Sequence, residues 1–592
     1  MARRTGGGER AGGSRLSAFA DGCDAFGLSI LVALAATLVL AAGTLALGGH
    51  VSAWHWLAAL VLGDATFVRE IARAARESGR AQLRVGRRAA LAVGWIIAIA
   101  LVLLVVGRVY DMSFDGQNYH LEGVLSLARG WNPFWTWNVP GSEPGMDTTS
   151  VTHYPKGAWI VAAAIYRATG HIETAKAINL LLLLATGALA LGTTASLFPR
   201  RPATAIGLAL LATANPVALA QVFSFYVDGA LASTLTALFL VLLRARQRVN
   251  RATYAALASL ILIAVNLKFT GVIFAPLIVL AFLTVLPRGK RALLAAVAAG
   301  AFGVAVLLVG FQPYVANAVA KRNPFYPVST SATLTEQAHP DFLAQDRVHK
   351  LLISLFARGS NASNRMPRLK VPFTLHEDEI RPYTKLDPRF AGLGPFFGGC
   401  LLLSIALALA AARVNRRAAA AAATVASIAL LSALAISDPW WARFVPQLWL
   451  IPVALCAPAL ASEMPGWLRG AGIATACLLL LNALFIGAAT GVTLLRRNAL
   501  LGRQLVFLRD AARAAPLSVT RTGTCRSLDV RLSEAGVPFT RGPNLACARP
   551  IAIDPSCDSF LLCLSGAARD AYPELFNQPP DRAIAGAATA VP

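Results

Sequence analysis

Short, basic connections cut this chain into apolar runs of close to twenty residues, and that alternation limits its fold more than any other property. About 20 apolar residues in a helix match the hydrocarbon thickness of a bilayer. Within that layer each backbone donor and acceptor must be satisfied internally, which a helix achieves and an open strand does not. The composition agrees, with 56% hydrophobic and only 14% charged residues in 592, where soluble domains carry about 25% charge. The expected fold class is an all-α polytopic membrane protein. The first run begins near Phe26 after a Gly/Arg-rich start, without an evident cleavage site, and further runs follow. It therefore reads as a retained helix and not as a signal peptide.

A net charge of +24 suggests a nucleic-acid partner only until the charges are located. Arg and Lys gather in the short connections, as the positive-inside rule requires, so no nucleic acid is expected. With Arg3, Arg4, Arg10 and Arg15 placed in the cytoplasm, the Arg-rich loop from Arg69 to Arg88 also falls there. So do Arg200-Arg201, Arg244 to Arg251, Arg288 to Arg291 and Arg413 to Arg417. Spans then fall near 27–49, 53–70, 89–109, 174–197, 203–221, 226–243, 252–267, 271–286, 293–312, 391–412, 418–436, 444–461 and 470–492. That gives about thirteen transmembrane helices, with the N-terminus cytoplasmic and the C-terminus extracytoplasmic. A short apolar segment, 157–169, is left over and reads as a helix partly sunk in the outer leaflet.

Three regions follow: a cytoplasmic N-terminal segment 1–26, a transmembrane domain 27–494, and an extracytoplasmic C-terminal domain 495–592. Outer loops are expected at about 110–173 and 315–390. The C-terminal region holds four of the eight cysteines, Cys525, Cys547, Cys557 and Cys563, with no CxxC pair. An oxidising compartment favours disulfides over zinc, with three connectivities open. A small α/β or irregular domain is expected there.

The chemistry concentrates just past the third span. Asp115-Gly-Gln-Asn-Tyr-His120 is followed by Leu121-Glu122-Gly123 and then Gly130-Trp131-Asn132-Pro133. A carboxylate, an imidazole and a second carboxylate leave the membrane together, and ionisable groups at a bundle's mouth are functional candidates by default. Further along come His153-Tyr154-Pro155-Lys156-Gly157, Phe225-Tyr226-Val227-Asp228-Gly229, Asn266-Leu267-Lys268-Phe269-Thr270-Gly271, Asn323-Pro324-Phe325-Tyr326-Pro327 and Trp441-Ala442-Arg443-Phe444.

In this order, across roughly residues 110 to 450, these segments resemble the GT-C superfamily of polyprenyl-linked membrane glycosyltransferases, of the bacterial mannosyl and aminoarabinosyl transferase type. The resemblance implies a GT-C-like fold in the bacterial inner membrane. It also implies a sugar moved from a polyprenyl-phosphate donor to a glycan, lipid or protein acceptor of the envelope at the outer face, with inversion. The sequence departs from the mannose and aminoarabinose branches in one respect: Gly116 stands where Glu commonly follows the Asp. Asp115 is the expected general base, with His120 beside it, because a positioned carboxylate that accepts the acceptor's proton accelerates transfer by about 10² to 10⁴. The departing phosphate gathers negative charge and calls for cations, for which Lys156, Lys268 and Arg443 are the candidates. Asp228, with Glu122 and His153, is the candidate set for a divalent metal ion such as Mg or Mn, whose ligands are oxygen and imidazole.

Each residue also has a plainer reading. Asp115 caps a helix starting near Gln117; His120 bonds a backbone carbonyl; Glu122 is solvated or paired with Arg129; the three cations snorkel to headgroups. Trp131, Trp135 and Trp137 read as an interfacial aromatic belt, and His376-Glu377-Asp378-Glu379 as solvated surface. A transporter or flippase, or a glycolipid-binding assembly protein, is the alternative function. No inverted repeat with paired broken helices favours a transporter.

Overall fold

The computed structural model describes residues 6–78, 83–142, 146, 148–328, 337–513, 515–543, 545, 547, 550–553, 557, 560–564 and 573–576. Among these, six helices are long and apolar enough to cross a membrane: Phe19–Ala46, Val85–Gly107, Ile172–Leu197, Asp228–Ala245, Arg288–Val309 and Gly466–Ala511. Five shorter apolar helices join them: Pro202–Thr213, Arg251–Leu267, Phe269–Val285, Phe397–Ala412 and Pro446–Leu460. Every segment expected to span is helical in whole or in part.

Burial sorts these helices into layers. The most apolar stretch of Asp228–Ala245 is 89% buried and that of Val85–Gly107 only 22%, so the first lies at the centre of the bundle and the second faces lipid. Ile96, Ile97, Leu101 and Leu104 form that lipid-facing side. Local chemistry sets the ends. Asn250 accepts from the Thr253 amide at 3.0 Å while Thr253 Oγ1 accepts from the Asn250 amide at 3.2 Å, a reciprocal cap that starts Arg251–Leu267. Lys268 is extended and ends it. The expected span 203–221 is broken: Asn215 accepts from the Val217 amide at 3.0 Å and Pro216 opens a new short helix, Pro216–Gln221.

The leftover segment departs from its expected place. Gly157–Thr169 is a helix whose first nine residues are buried in protein, not sunk in the leaflet. It packs against Leu121–Ala128, where a side chain on Gly123 would overlap the Trp159 indole. Glu379 likewise departs from the solvated reading. It is buried and accepts from the Gly359 amide at 2.8 Å and from Lys370 Nζ at 2.6 Å.

The last long helix, Gly466–Ala511, runs on past the expected span end at 492. Its Leu501, Leu505 and Leu508 enter the core of the C-terminal domain beside Val519, Leu528, Leu532, Phe560 and Leu562. That domain is α/β. Its four strands, β1 (Leu517–Arg521), β2 (Phe539–Arg541), β3 (Ile551–Ala552) and β4 (Phe560–Leu562), lie in the order β2-β1-β4-β3. β1 and β2 are parallel and are joined by helix Arg526–Glu534, the kind of crossover that a parallel pair needs. β4 is antiparallel to both β1 and β3. Of the three connectivities, the structure has Cys525–Cys557 and Cys547–Cys563.

Candidate active site

Asp115 stands at the start of one wide helical turn, Gly116–His120, that leads into Leu121–Ala128. Its backbone is helical and its side chain caps nothing, so the capping role fails. The carboxylate turns instead toward a cationic partner from the far end of the chain. Arg443 Nη1 donates to Asp115 Oδ2 at 2.8 Å, and the Tyr119 hydroxyl donates to the same oxygen at 3.3 Å. The Asp115 amide donates to Tyr226 Oη at 3.4 Å. Asp115 Oδ1 is bonded by no described residue, and the side chain keeps 17% of its surface exposed. The adjoining glycine has a steric cause, because a Cβ on Gly116 would collide with the Asp111 carboxylate and the Ser113 hydroxyl. Glutamate after the aspartate has no room here.

Arg443 serves two carboxylates. The same Nη1 lies 3.2 Å from Asp387 Oδ2, and the guanidinium sits over the Trp441 ring at 4.3 Å. Such a stack suits a partly desolvated cation. Burial, reinforced by Asp115 and opposed by Arg443, pushes the Asp387 carboxyl up to about 6. A second ion pair lies alongside. Asp228 opens Asp228–Ala245, where a carboxylate complements the helix dipole, and Lys268 Nζ binds its Oδ1. Gln221 Nε2 donates to Asp228 Oδ2 at 3.2 Å. The Lys268 ammonium lies over the Phe444 ring at 4.2 Å, next in sequence to Arg443. Two cations and three carboxylates thus share one mouth. Close by in sequence, Trp440, Ala442 and Val445 line a small apolar crevice with Leu351 and Leu393.

His120 forms the floor. Its Nδ1 accepts from the Trp159 indole at 2.9 Å, not from the position of a base facing solvent, and its ring lies 4.2 Å from that of Tyr119 and 5.5 Å from that of Tyr154. Burial pushes the imidazole down to about 4, so it is neutral at pH 7, with its proton on Nε2.

No family model matches the sequence, and no curated protein matches it. Among solved structures, the crystal structure of ArnT from Cupriavidus metallidurans bound to undecaprenyl phosphate is similar over 76% of this chain and 86% of that chain, with a TM-score of 0.41 and 13% identity.

The structure brings Asp115, Asp228, Lys268 and Arg443 together, sets His120 beneath them and holds three other expected site residues elsewhere. Lys156 Nζ donates to the carbonyls of Thr152 and Tyr154 at 2.6 and 2.9 Å, beside the Trp131 and Trp159 rings. Glu122 is buried and bound by Arg526, neither solvated nor paired with Arg129. His153 Nδ1 bonds Asn317 Oδ1 at 2.7 Å. The expected metal set therefore does not assemble, since Asp228, Glu122 and His153 each have other partners. Among the described residues no three His, Cys, Asp or Glu side chains gather to hold a metal ion. The aromatic belt also divides: Trp131 is buried under Lys156, and Trp135 and Trp137 are exposed.

Four contributors escape the sequence reading: Asp387, Gln221, Tyr226 and Trp441. The last two lie inside motifs already singled out, one residue from Val227-Asp228 and two from Arg443. Asp387 sits in a long loop of mixed charge, with no spacing that marks it.

Proposed function

We propose that this chain is an inverting membrane glycosyltransferase that moves a sugar from a polyprenyl-phosphate donor to an envelope acceptor at the outer face. One observation carries the reading. Residues 115, 228, 268 and 443, drawn from four separate GT-C-like segments, converge on a single half-buried mouth with one carboxylate oxygen open.

An acceptor hydroxyl held at Asp115 Oδ1 attacks the anomeric carbon. The new C–O bond forms as the bond to the donor phosphate breaks, the hydroxyl proton passes to Asp115, and polyprenyl phosphate departs with the electron pair. Arg443 fixes the carboxylate through Oδ2 and leaves Oδ1 to the acceptor. Positive charge from Lys268 and Arg443 faces the leaving phosphate, and charge stabilisation of this kind is commonly the largest single contribution to catalysis. Neutral His120 orients the Tyr119 ring beneath the site.

The test is Asp115→Asn in the full-length protein. Mass analysis of envelope lipids and glycans should show transfer reduced by about 10² to 10⁴, with undecaprenyl phosphate binding retained. Unchanged glycosylation in that variant would turn the reading toward a transporter or a glycolipid-binding assembly protein.

A further inference from the structure

The C-terminal domain meets the bundle through two arginines that are almost wholly buried, and both reach the same short segment. Arg526 binds Glu122 through its backbone amide (2.8 Å to Oε1) and its Nε. Its Nη2 donates to the Glu122 carbonyl at 3.0 Å and to Ser126 Oγ at 2.6 Å, and its Nη1 donates to the Pro140 carbonyl at 2.9 Å. Arg531 Nη2 donates to the Asp111 carbonyl at 2.6 Å, its Nε to Glu173 Oε1 at 2.7 Å and its Nη1 to Gln117 Oε1 at 3.3 Å. Ser527 Oγ also donates to Gln117 Oε1, and Thr524 Oγ1 donates to Asn118 Oδ1 at 2.9 Å. Side-chain exposure is 1% for Arg526 and 0% for Glu122, Arg531 and Glu173.

These contacts bracket Asp115 from before (Asp111), just after (Gln117, Asn118) and about two and three turns beyond (Glu122, Ser126). A wide helical turn is a poor structure by itself and occurs mostly as a single turn held in context. A domain that only covered the bundle would leave its charges at the rim. Here the charges are desolvated, and both arginines reach the segment that carries the open carboxylate. We infer that the C-terminal domain is a clamp on the Asp115 turn, with Arg526 and Arg531 as positioning residues. The inference rests on the reading of Asp115 as the base.

The test compares Arg526→Lys, Arg526→Ala, Arg531→Lys and Ser527→Ala in the full-length protein in nanodiscs. Three readouts are taken: hydrogen exchange, binding of undecaprenyl phosphate, and transfer. Exchange across residues 111–122 should quicken on the order of 10-fold, with helix Arg251–Leu267 unaffected. Undecaprenyl phosphate binding should stay within about two-fold of wild type while transfer falls by up to ~10²-fold, the cost of misplacing a reacting group by about 1 Å. Arg526→Lys, which keeps the charge and loses the fork, should fall between wild type and Arg526→Ala. Unchanged exchange at 111–122 in all four variants overturns the clamp. So does loosening that spreads through the bundle with loss of lipid binding, or a loosened turn with full transfer when Asp115→Asn transfers nothing. Full transfer by Asp115→Asn overturns the catalytic reading instead, in a variant whose clamp contacts are intact.

Discussion

Lys156 separates charge that serves a ligand from charge that serves the backbone. Burial holds its amine well below the usual lysine range, and its donors go to two carbonyls at the entrance to helix Gly157–Thr169. Lys156→Met should therefore cost about 1–3 kcal/mol of stability, the usual penalty for orphaning buried partners, and leave undecaprenyl phosphate affinity unchanged. Thermal unfolding and a binding isotherm decide this; weaker binding at unaltered stability would return the residue to the phosphate. The sequence singles out Asp115, Asp228, Lys268 and Arg443 because each is a charge next to an apolar run, where its burial has to be explained. The same rule singles out Lys156 and Glu122, because it registers the cost of burial and not the identity of the partner. Asp387 is invisible to it, since its burial comes from a loop folding over Arg443 and not from any nearby hydrophobic run.

Among the elements, long single helices are the easiest to read. The expected span 252–267 matches Arg251–Leu267, because a polar cap and an extended lysine bound the apolar stretch in sequence as well as in space. The break at Asn215-Pro216 and the burial of Gly157–Ile165 are harder, because hydropathy does not distinguish lipid from protein as the apolar surroundings. Docking of helix Arg526–Glu534 carries a pH dependence of its own. His171 Nδ1 lies 2.6 Å from Glu534 Oε2, and its Nε2 lies 2.8 Å from the Gly107 carbonyl. The hydrogen bond to Glu534 raises the His171 imidazole above its ordinary 6.5. A group whose folded pKa is raised contributes fully below its unfolded value and loses that contribution as pH climbs through the folded one. Exchange protection of Arg526–Glu534 should accordingly decline as pH rises above 6.5, and Glu534→Gln should flatten the profile. The imidazole is 40% exposed, so the effect is reduced by solvent and salt.

At the scale of the molecule, two halves of different chemistry are joined: a bundle stabilised by apolar packing and a small domain stapled by Cys525–Cys557 and Cys547–Cys563. Small cores rely on such cross-links, and the first closes a separation of 32 residues. Paired Cys525→Ser and Cys557→Ser substitutions should lower the domain's stability by roughly 2–4 kcal/mol. Denaturant titration of the full chain, followed by proteolysis at 515–543, measures this. The presence of disulfides is legible from four clustered cysteines. The pairing is not, because it is decided by which strands lie side by side.

Helix Gly466–Ala511 has 46 residues, which makes a rod about 69 Å long at ~1.5 Å per residue. A bilayer's hydrocarbon layer is ~30 Å thick, less than half the length of the rod. The rest is a stiff mast rather than a tether, and the distal domain rides on it. Its bearing over the bundle is fixed from two sides, by that rod and by the buried Arg526–Glu122 and Arg531–Glu173 pairs.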